Sequence, residues 1–141
     1  MTTSCALIDE SLCDHLLTTT NWNDWVVTTA YSSALHFIDD ALFPLTLGED
    51  TYPDFEDFYV DRNKHGNFSR NSNQARIILI HQNLPNALSA YKFLFEAYTS
   101  ARYNEFKVDN DMAKKARMRL AEVKNCCIPA SPNSAPALTK A

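Results

Sequence analysis

Only two glycines, Gly48 and Gly66, occur among the 141 residues of this chain. Tight reversals of the backbone depend on glycine, so its scarcity disfavours a protein built from many short strands and favours long helices. The chain is 45% hydrophobic and 11% aromatic, which is ordinary for a globular protein and excludes a disordered chain. At this length it can bury one helical core without disulfides or metals. The sequence therefore predicts one all-α domain.

Apolar residues at helical spacing predict five helices, which cover residues 4–18, 23–43, 72–83, 85–106 and 109–125. Pro44 would end the second helix. The long segment 44–70 contains both glycines and reads as a connection with at most one helical turn. The prediction is an antiparallel bundle of four to five helices in residues 1–125, with a long loop between the second and third main helices. Residues 126–141 are expected to form a disordered tail.

The first two helices have apolar positions that we expect to face the core. Those of the first are Ala6, Leu7, Leu12, Leu16 and Leu17, among the acids Asp9, Glu10 and Asp14. Those of the second are Trp25, Val26, Ala30, Ser33, Phe37 and Ala41. Ser72 or Asn73 is the expected cap of the third predicted helix, and Asp109 that of the last.

The charges of the chain are divided between its two halves. Residues 1–61 contain twelve Asp and Glu and no Lys or Arg, while all thirteen Lys and Arg follow, against five acids. Charged residues of both signs are usually interspersed along a soluble chain, so this division is informative about what the protein binds. The basic half could contact a polyanion such as RNA, or it could contact the acidic half of its own fold or of a second copy.

Four cysteines, Cys5, Cys13, Cys126 and Cys127, show no metal-ligand spacing, and we expect reduced thiols. No apolar run approaches the roughly 20 residues of a membrane span, and we expect no signal peptide, because the first residues include no basic residue and no long apolar region. We therefore expect a cytoplasmic protein without a membrane contact. His36 with Asp39 and Asp40 falls short of a metal-ligand set, so no metal and no cofactor is expected.

Three fragments resemble landmarks of the HEPN-like family. Residues 31–41, Tyr-Ser-Ser-Ala-Leu-His-Phe-Ile-Asp-Asp-Ala, resemble the family's Tyr-x-x-Ala-Leu-His-x-x-Asp-Ala pattern. Leu84-Pro85 with Tyr91-x-x-Leu94, and then Ala101-Arg102-Tyr103, resemble its downstream signature in the same order. The resemblance covers about residues 20–125. It implies a helical bundle, frequent homodimerisation, RNA or nucleotide binding, and a role in defence or toxin–antitoxin systems.

Catalytic members of this family use an Arg-x4-6-His motif, and Arg76 and His81 have that spacing. The resemblance thus implies a metal-independent ribonuclease in which His81 moves a proton and Arg76 stabilises the phosphate charge. Ile77 stands where a polar residue commonly follows the arginine. His65, Arg70 and Asn71 could be a displaced version of the motif and hold phosphate. On a regular helix, residues five apart lie about 140° from each other, so a bend or a second chain would be needed.

Other readings stay open. Arg76 could pair with an acid of the N-terminal half, and His81 could be a late-helix residue favoured by the helix dipole. Arg102 and Tyr103 could hold phosphate and stack bases, or Arg102 could pair with Asp39 or Asp40. A non-catalytic dimeric interaction module that binds a partner protein is the main alternative. A weaker one is a nucleotide-sensing bundle with a pocket around Tyr31, His36, Asp39 and Arg102.

Overall fold

A computed structural model describes residues 2–64, 71–103 and 108–128, with side chains for 5–62, 71–102 and 108–128. Its elements are α1 (Thr2–Thr19), α2 (Asn23–Leu42), β1 (Leu45–Leu47), β2 (Asp50–Tyr52), α3 (Phe55–Lys64), α4 (Ser72–Asn83), a 3-10 turn (Pro85–Ala87), α5 (Leu88–Tyr103) and α6 (Asn110–Cys127). The all-α prediction is confirmed. All five predicted helices are present, and α3 is an additional one.

Helix α2 lies at the centre and packs against α1, α5 and α6. Ala30, Ser33 and Ala34 are fully buried on it, and their small side chains let α1 approach closely. The Ser33 hydroxyl donates to the Ala6 carbonyl of α1 at 2.7 Å. The largest fully buried side chains of the core include Phe37, Ile38, Ile80, Tyr91, Leu94, Leu120 and Val123. On α5, Phe95 and Tyr98 pack against this core beside the buried Tyr91.

The ends of the helices follow their capping residues. Asp109 caps α6 by accepting a hydrogen bond from the Met112 amide at 2.8 Å, as predicted. The cap of α4 is Asn71, one residue before the predicted Ser72 or Asn73. Asn71 and Gln74 form a reciprocal capping box, in which each side chain accepts from the other's backbone amide. Asn71, predicted as a binding residue, therefore sets the start of α4.

The prediction of a long loop at 44–70 is wrong for most of that segment. Strands β1 and β2 form a hairpin whose Leu47 and Asp50 pair across a two-residue turn. Gly48 opens that turn with φ 64°, a conformation that glycine adopts without strain and that a type II′ turn needs. Helix α3 follows because Phe55 and Phe58, three residues apart, are both buried.

Some apolar positions of the first two helices face outward, contrary to expectation. Leu7 and Leu12 of α1 are exposed, whereas the Glu10 side chain is buried. The reason is electrostatic: Arg117 and Lys124 of α6 lie beneath α1 and hold its acids inward. On α2, Trp25 is exposed at the first turn.

No helix in the described parts of the chain is long and apolar enough to cross a membrane. All four cysteines are free thiols, and Cys13 is fully buried. Helix α6 continues to Cys127, so the first two residues of the predicted tail are helical. Residues 104–107 lie outside the described residues, as does the predicted tail from residue 129 onward.

Candidate functional site

Arg76 lies one turn into α4 and faces α2. Its Nε donates to Asp39 Oδ1 at 3.0 Å and its Nη2 donates to Asp39 Oδ2 at 2.8 Å. The two parallel bonds are the geometry that a planar guanidinium forms with a carboxylate. Arg76 therefore pairs with an acid of the N-terminal half, which is one of the alternatives raised by the sequence.

The guanidinium of Arg76 also lies on an aromatic ring. Its Cζ is 3.8 Å from the ring centroid of Phe55, the first residue of α3. Only 12% of the Arg76 side chain is exposed. A cation over a ring face gains from the ring quadrupole, and more so when water is excluded. Arg76 thus joins α2, α3 and α4 at one point.

His81 lies in the last turn of the same helix and is exposed. Because α4 is continuous from Ser72 to Asn83, Arg76 and His81 lie about 140° apart around its axis. The described chain does not bring the two side chains into one groove. A phosphate beside His81 would not reach the guanidinium of Arg76 in the same chain.

A buried hydroxyl network lies next to Arg76. The Tyr91 hydroxyl donates to Asn73 Oδ1 at 2.6 Å and lies 3.3 Å from the Tyr31 hydroxyl. The Tyr31 ring stacks on Tyr98 with centroids 4.6 Å apart. Burial raises the pKa of both Tyr31 and Tyr91, so these hydroxyls stay protonated as hydrogen-bond donors. They are satisfied by each other rather than directed at an empty pocket.

His36 of α2 lies against α1. Its Nε2 is 3.8 Å from Asp9 Oδ2 of α1, and the same oxygen accepts from the Ser32 hydroxyl at 2.7 Å. His36 therefore contributes to the contact between α1 and α2. No group of three His, Cys, Asp or Glu in the described residues is arranged to hold a metal ion.

Most of the strong ion pairs join the acidic half of the chain to its basic half. Arg117 of α6 donates to Glu10 at 3.0 Å and to Asp14 at 3.2 Å, and Lys124 donates to Glu10 at 3.0 Å. The hydrogen bond with Asp14 raises the pKa of Arg117. Of the partners that the divided charge suggested, the acidic half of the same fold is the one observed.

Arg102 does not pair with Asp39 or Asp40, contrary to one expectation. It is exposed near the end of α5, and its Cζ lies 5.5 Å from the ring centroid of Trp25 at the start of α2. Asp39 lies fourteen residues further along α2, about 21 Å away along its axis. The packing of α5 against α2 thus places Arg102 at the opposite end of α2 from Asp39.

Trp22, Trp25 and Arg102 form what we call the tryptophan surface. The two indoles are 63% and 53% exposed, which is high for the largest apolar side chain. A cavity of about 350 Å³ lies on one side of Trp25 and is lined by residues 21–25 and Val108. A second, of about 200 Å³, lies between Trp25 and Arg102. Sequence reasoning missed this surface because Trp25 was assigned to the core.

The structure gives no side-chain contacts for the other three predicted binding residues. His65 and Arg70 lie outside the described residues. Tyr103 is the last residue of α5, and its side chain also lies outside them. These positions stay predictions.

No family model, no curated protein and no solved structure matches this chain. The HEPN-like resemblance therefore stays a prediction from the sequence.

Proposed function

We propose that this protein is a non-catalytic interaction module that binds a partner protein through the tryptophan surface. The observation that carries the proposal is the exposure of Trp22 and Trp25 beside the exposed guanidinium of Arg102. Tryptophan and arginine are the residues that most often dominate the free energy of protein association. The binding-module alternative drawn from the sequence is thus the one that the geometry favours over a ribonuclease.

Four other cations among the described residues support this choice. Arg76, Arg117, Arg119 and Lys124 are each paired with a carboxylate of the chain itself. A polyanion such as RNA would have to compete with those carboxylates, and a net charge of −4 opposes its approach. Arg76, which the ribonuclease reading needs, is occupied by Asp39.

The chemistry of the tryptophan surface defines its partner. The cavity beside Trp25 has an apolar part, made by Trp22, Trp25 and Val108, in which an apolar side chain of a partner could lie. Arg102 lines the neighbouring cavity. A carboxylate next to the inserted apolar side chain would give Arg102 a charged acceptor. We therefore expect a partner segment that combines an aromatic or aliphatic residue with Asp or Glu.

Selection from a displayed library of random peptides tests the proposal. The wild-type chain should enrich peptides that contain an apolar residue next to an acid. The variant Trp22→Ala/Trp25→Ala should bind a selected peptide at least about tenfold more weakly, a loss of about 1.4 kcal/mol. Met118→Ala is the matched control, since Met118 is also 63% exposed but lies on α6.

Two outcomes would overturn the proposal. One is the absence of enriched peptides, and the other is enrichment that the double tryptophan variant leaves unchanged. A labelled single-stranded RNA should be measured in parallel by fluorescence anisotropy. RNA binding that depends on Trp22 and Trp25, without peptide binding, would instead indicate that the tryptophan surface recognises nucleic acid.

A further inference from the structure

A third cavity, of about 370 Å³, adjoins the tryptophan surface. It shares Asn21 and Asn23 with the cavity of about 350 Å³ beside Trp25. That cavity in turn shares Asp24 and Trp25 with the one that Arg102 lines. The first and the last have no lining residue in common, so the three cavities lie in a row. We call this row the α2 groove, because the start of α2 forms its centre.

The end of the α2 groove away from Arg102 is polar. Its lining includes Thr18, Thr19 and Thr20 at the end of α1, and Asn110 and Lys114 at the start of α6. Lys114 is exposed, and it is the only charged side chain among the described residues that line this cavity. The α2 groove therefore has a cation at each of its ends.

Hydrogen bonds hold the centre of the α2 groove in place. The Asn23 side-chain amide donates to the Val108 carbonyl at 3.1 Å and to Asn110 Oδ1 at 3.0 Å, which ties the start of α2 to the start of α6. The Trp22 backbone amide donates to the Thr20 hydroxyl at 3.1 Å, and that hydroxyl donates to a carbonyl of α1 at 2.6 Å. A surface that is ordered before binding loses less entropy when a partner docks.

We infer that the α2 groove binds an extended segment of the partner protein with two acids, one paired with Arg102 and one with Lys114. The apolar residue that enters the cavity beside Trp25 lies between these acids in the segment. The inference rests on the proposed function, and it adds the second acid and the extended conformation. Charge complementarity supports it, because a carboxylate at each end of the segment meets a cation at each end of the groove.

Two residues at the centre of the α2 groove support the extended conformation and limit the sequence. An extended segment leaves backbone N–H and C=O groups without partners, and the exposed Asn21 amide can both donate to them and accept from them. Asp24 lies between Arg102 and Lys114 along the groove. It would repel a third acid, so we expect uncharged or basic residues between the two acids.

Peptide selection with three forms of the full chain tests the inference. Wild type should enrich peptides in which two acids flank an apolar residue. Lys114→Glu should enrich Lys or Arg in place of the second acid and keep the apolar residue and the first acid. Lys115→Glu is the matched control, since Lys115 is also exposed on α6 and the change in charge is the same. This control should select the same peptides as wild type.

Fluorescence anisotropy with one selected two-acid peptide measures the contribution of Lys114. Lys114→Glu should weaken binding about fivefold at low salt, and Lys in place of the second acid should restore most of the affinity. Lys114→Gln replaces it if Lys114→Glu lowers the melting temperature, and should then weaken binding less.

Three results would overturn the inference. Equal losses in Lys114→Glu and Lys115→Glu would mean that only the net charge of α6 matters. Enriched peptides that depend on Trp22 and Trp25 but carry a single acid would remove the second acid and leave the proposed function intact. The absence of any enriched peptide would overturn the proposed function together with the inference.

Discussion

Arg76 on α4 and Asp39 on α2 form an ion pair through two hydrogen bonds, of 3.0 and 2.8 Å. The guanidinium of Arg76 also lies over the ring of Phe55. The pair connects the basic half of the sequence to the acidic half, thirty-seven positions earlier. The same guanidinium is the one that a ribonuclease motif would use. Because this guanidinium is paired with Asp39, we assign Arg76 a structural role in α4 rather than a catalytic one.

The Arg76–Asp39 pair should contribute to stability. Asp39→Asn leaves a mostly buried cation without its counter-charge, and we expect the free energy of unfolding to fall by about 2–3 kcal/mol. Arg76→Met combined with Asp39→Asn should recover part of this loss. Urea unfolding of the four proteins in a double-mutant cycle gives the coupling energy.

The pair of Arg119 and Glu122, whose side chains are 40% and 48% exposed, is the control for that cycle. Its coupling energy should stay below about 0.5 kcal/mol. Equal coupling energies in the two pairs would show that Arg76 and Asp39 add no more than a surface contact.

Arg117 should be more important for stability than its neighbours on α6. It contacts both Glu10 and Asp14, and Glu10 is only 9% exposed. Arg117→Met leaves that carboxylate with Lys124 alone, so we expect a loss of about 3 kcal/mol in the free energy of unfolding. Lys115→Met, at an exposed site of the same helix, should change it by less than about 0.5 kcal/mol. A similar loss in both variants would contradict the role given to Arg117.

The buried thiol of Cys13 should make stability depend on alkaline pH. Burial raises the pKa of Cys13 from 9.0 to about 11. Between these values the unfolded thiol loses its proton and the folded one keeps it, so stability is present below pH 9 and is lost as pH rises through 11. Wild type should lose about 2–3 kcal/mol relative to Cys13→Ala over this window. An unchanged difference between the two proteins, measured by urea unfolding at pH 8.5 and 11, would show that Cys13 ionises freely in the folded state.

The Tyr91 hydroxyl should stabilise the contact between α4 and α5. It is fully buried and donates to Asn73 at 2.6 Å. Tyr91→Phe leaves the Asn73 acceptor unpaired, and we expect a loss of about 1–2 kcal/mol in thermal or urea unfolding. Tyr98→Phe is the matched control, because Tyr98 contacts Tyr31 through its ring. If both variants lose the same free energy of unfolding, the Tyr91 hydroxyl contributes no more to stability than the Tyr98 hydroxyl does.

Sequence patterns predicted the helices well, because spacing and caps are local properties. Asp109 and the apolar steps of α2, α4 and α5 placed those elements within a few residues. The hairpin was missed, although Gly48 between Leu47 and Asp50 is a turn signal. The burial of Glu10 on α1 could not be predicted, since it depends on Arg117 and Lys124, more than a hundred positions away. The tryptophan surface was missed for a similar reason, because only the packing of α5 places Arg102 beside Trp25.

Incubation of the purified chain with a mixed RNA pool in EDTA, with His81→Ala alongside, tests most directly whether Arg76 is structural. His81 is exposed, so the variant should keep its fold, which circular dichroism and a melting curve would verify. We predict that neither protein cleaves RNA, because Asp39 occupies the guanidinium that the reaction needs. Cleavage by the wild-type chain that survives chelation and is lost in a folded His81→Ala variant would contradict this account and establish a ribonuclease that uses His81.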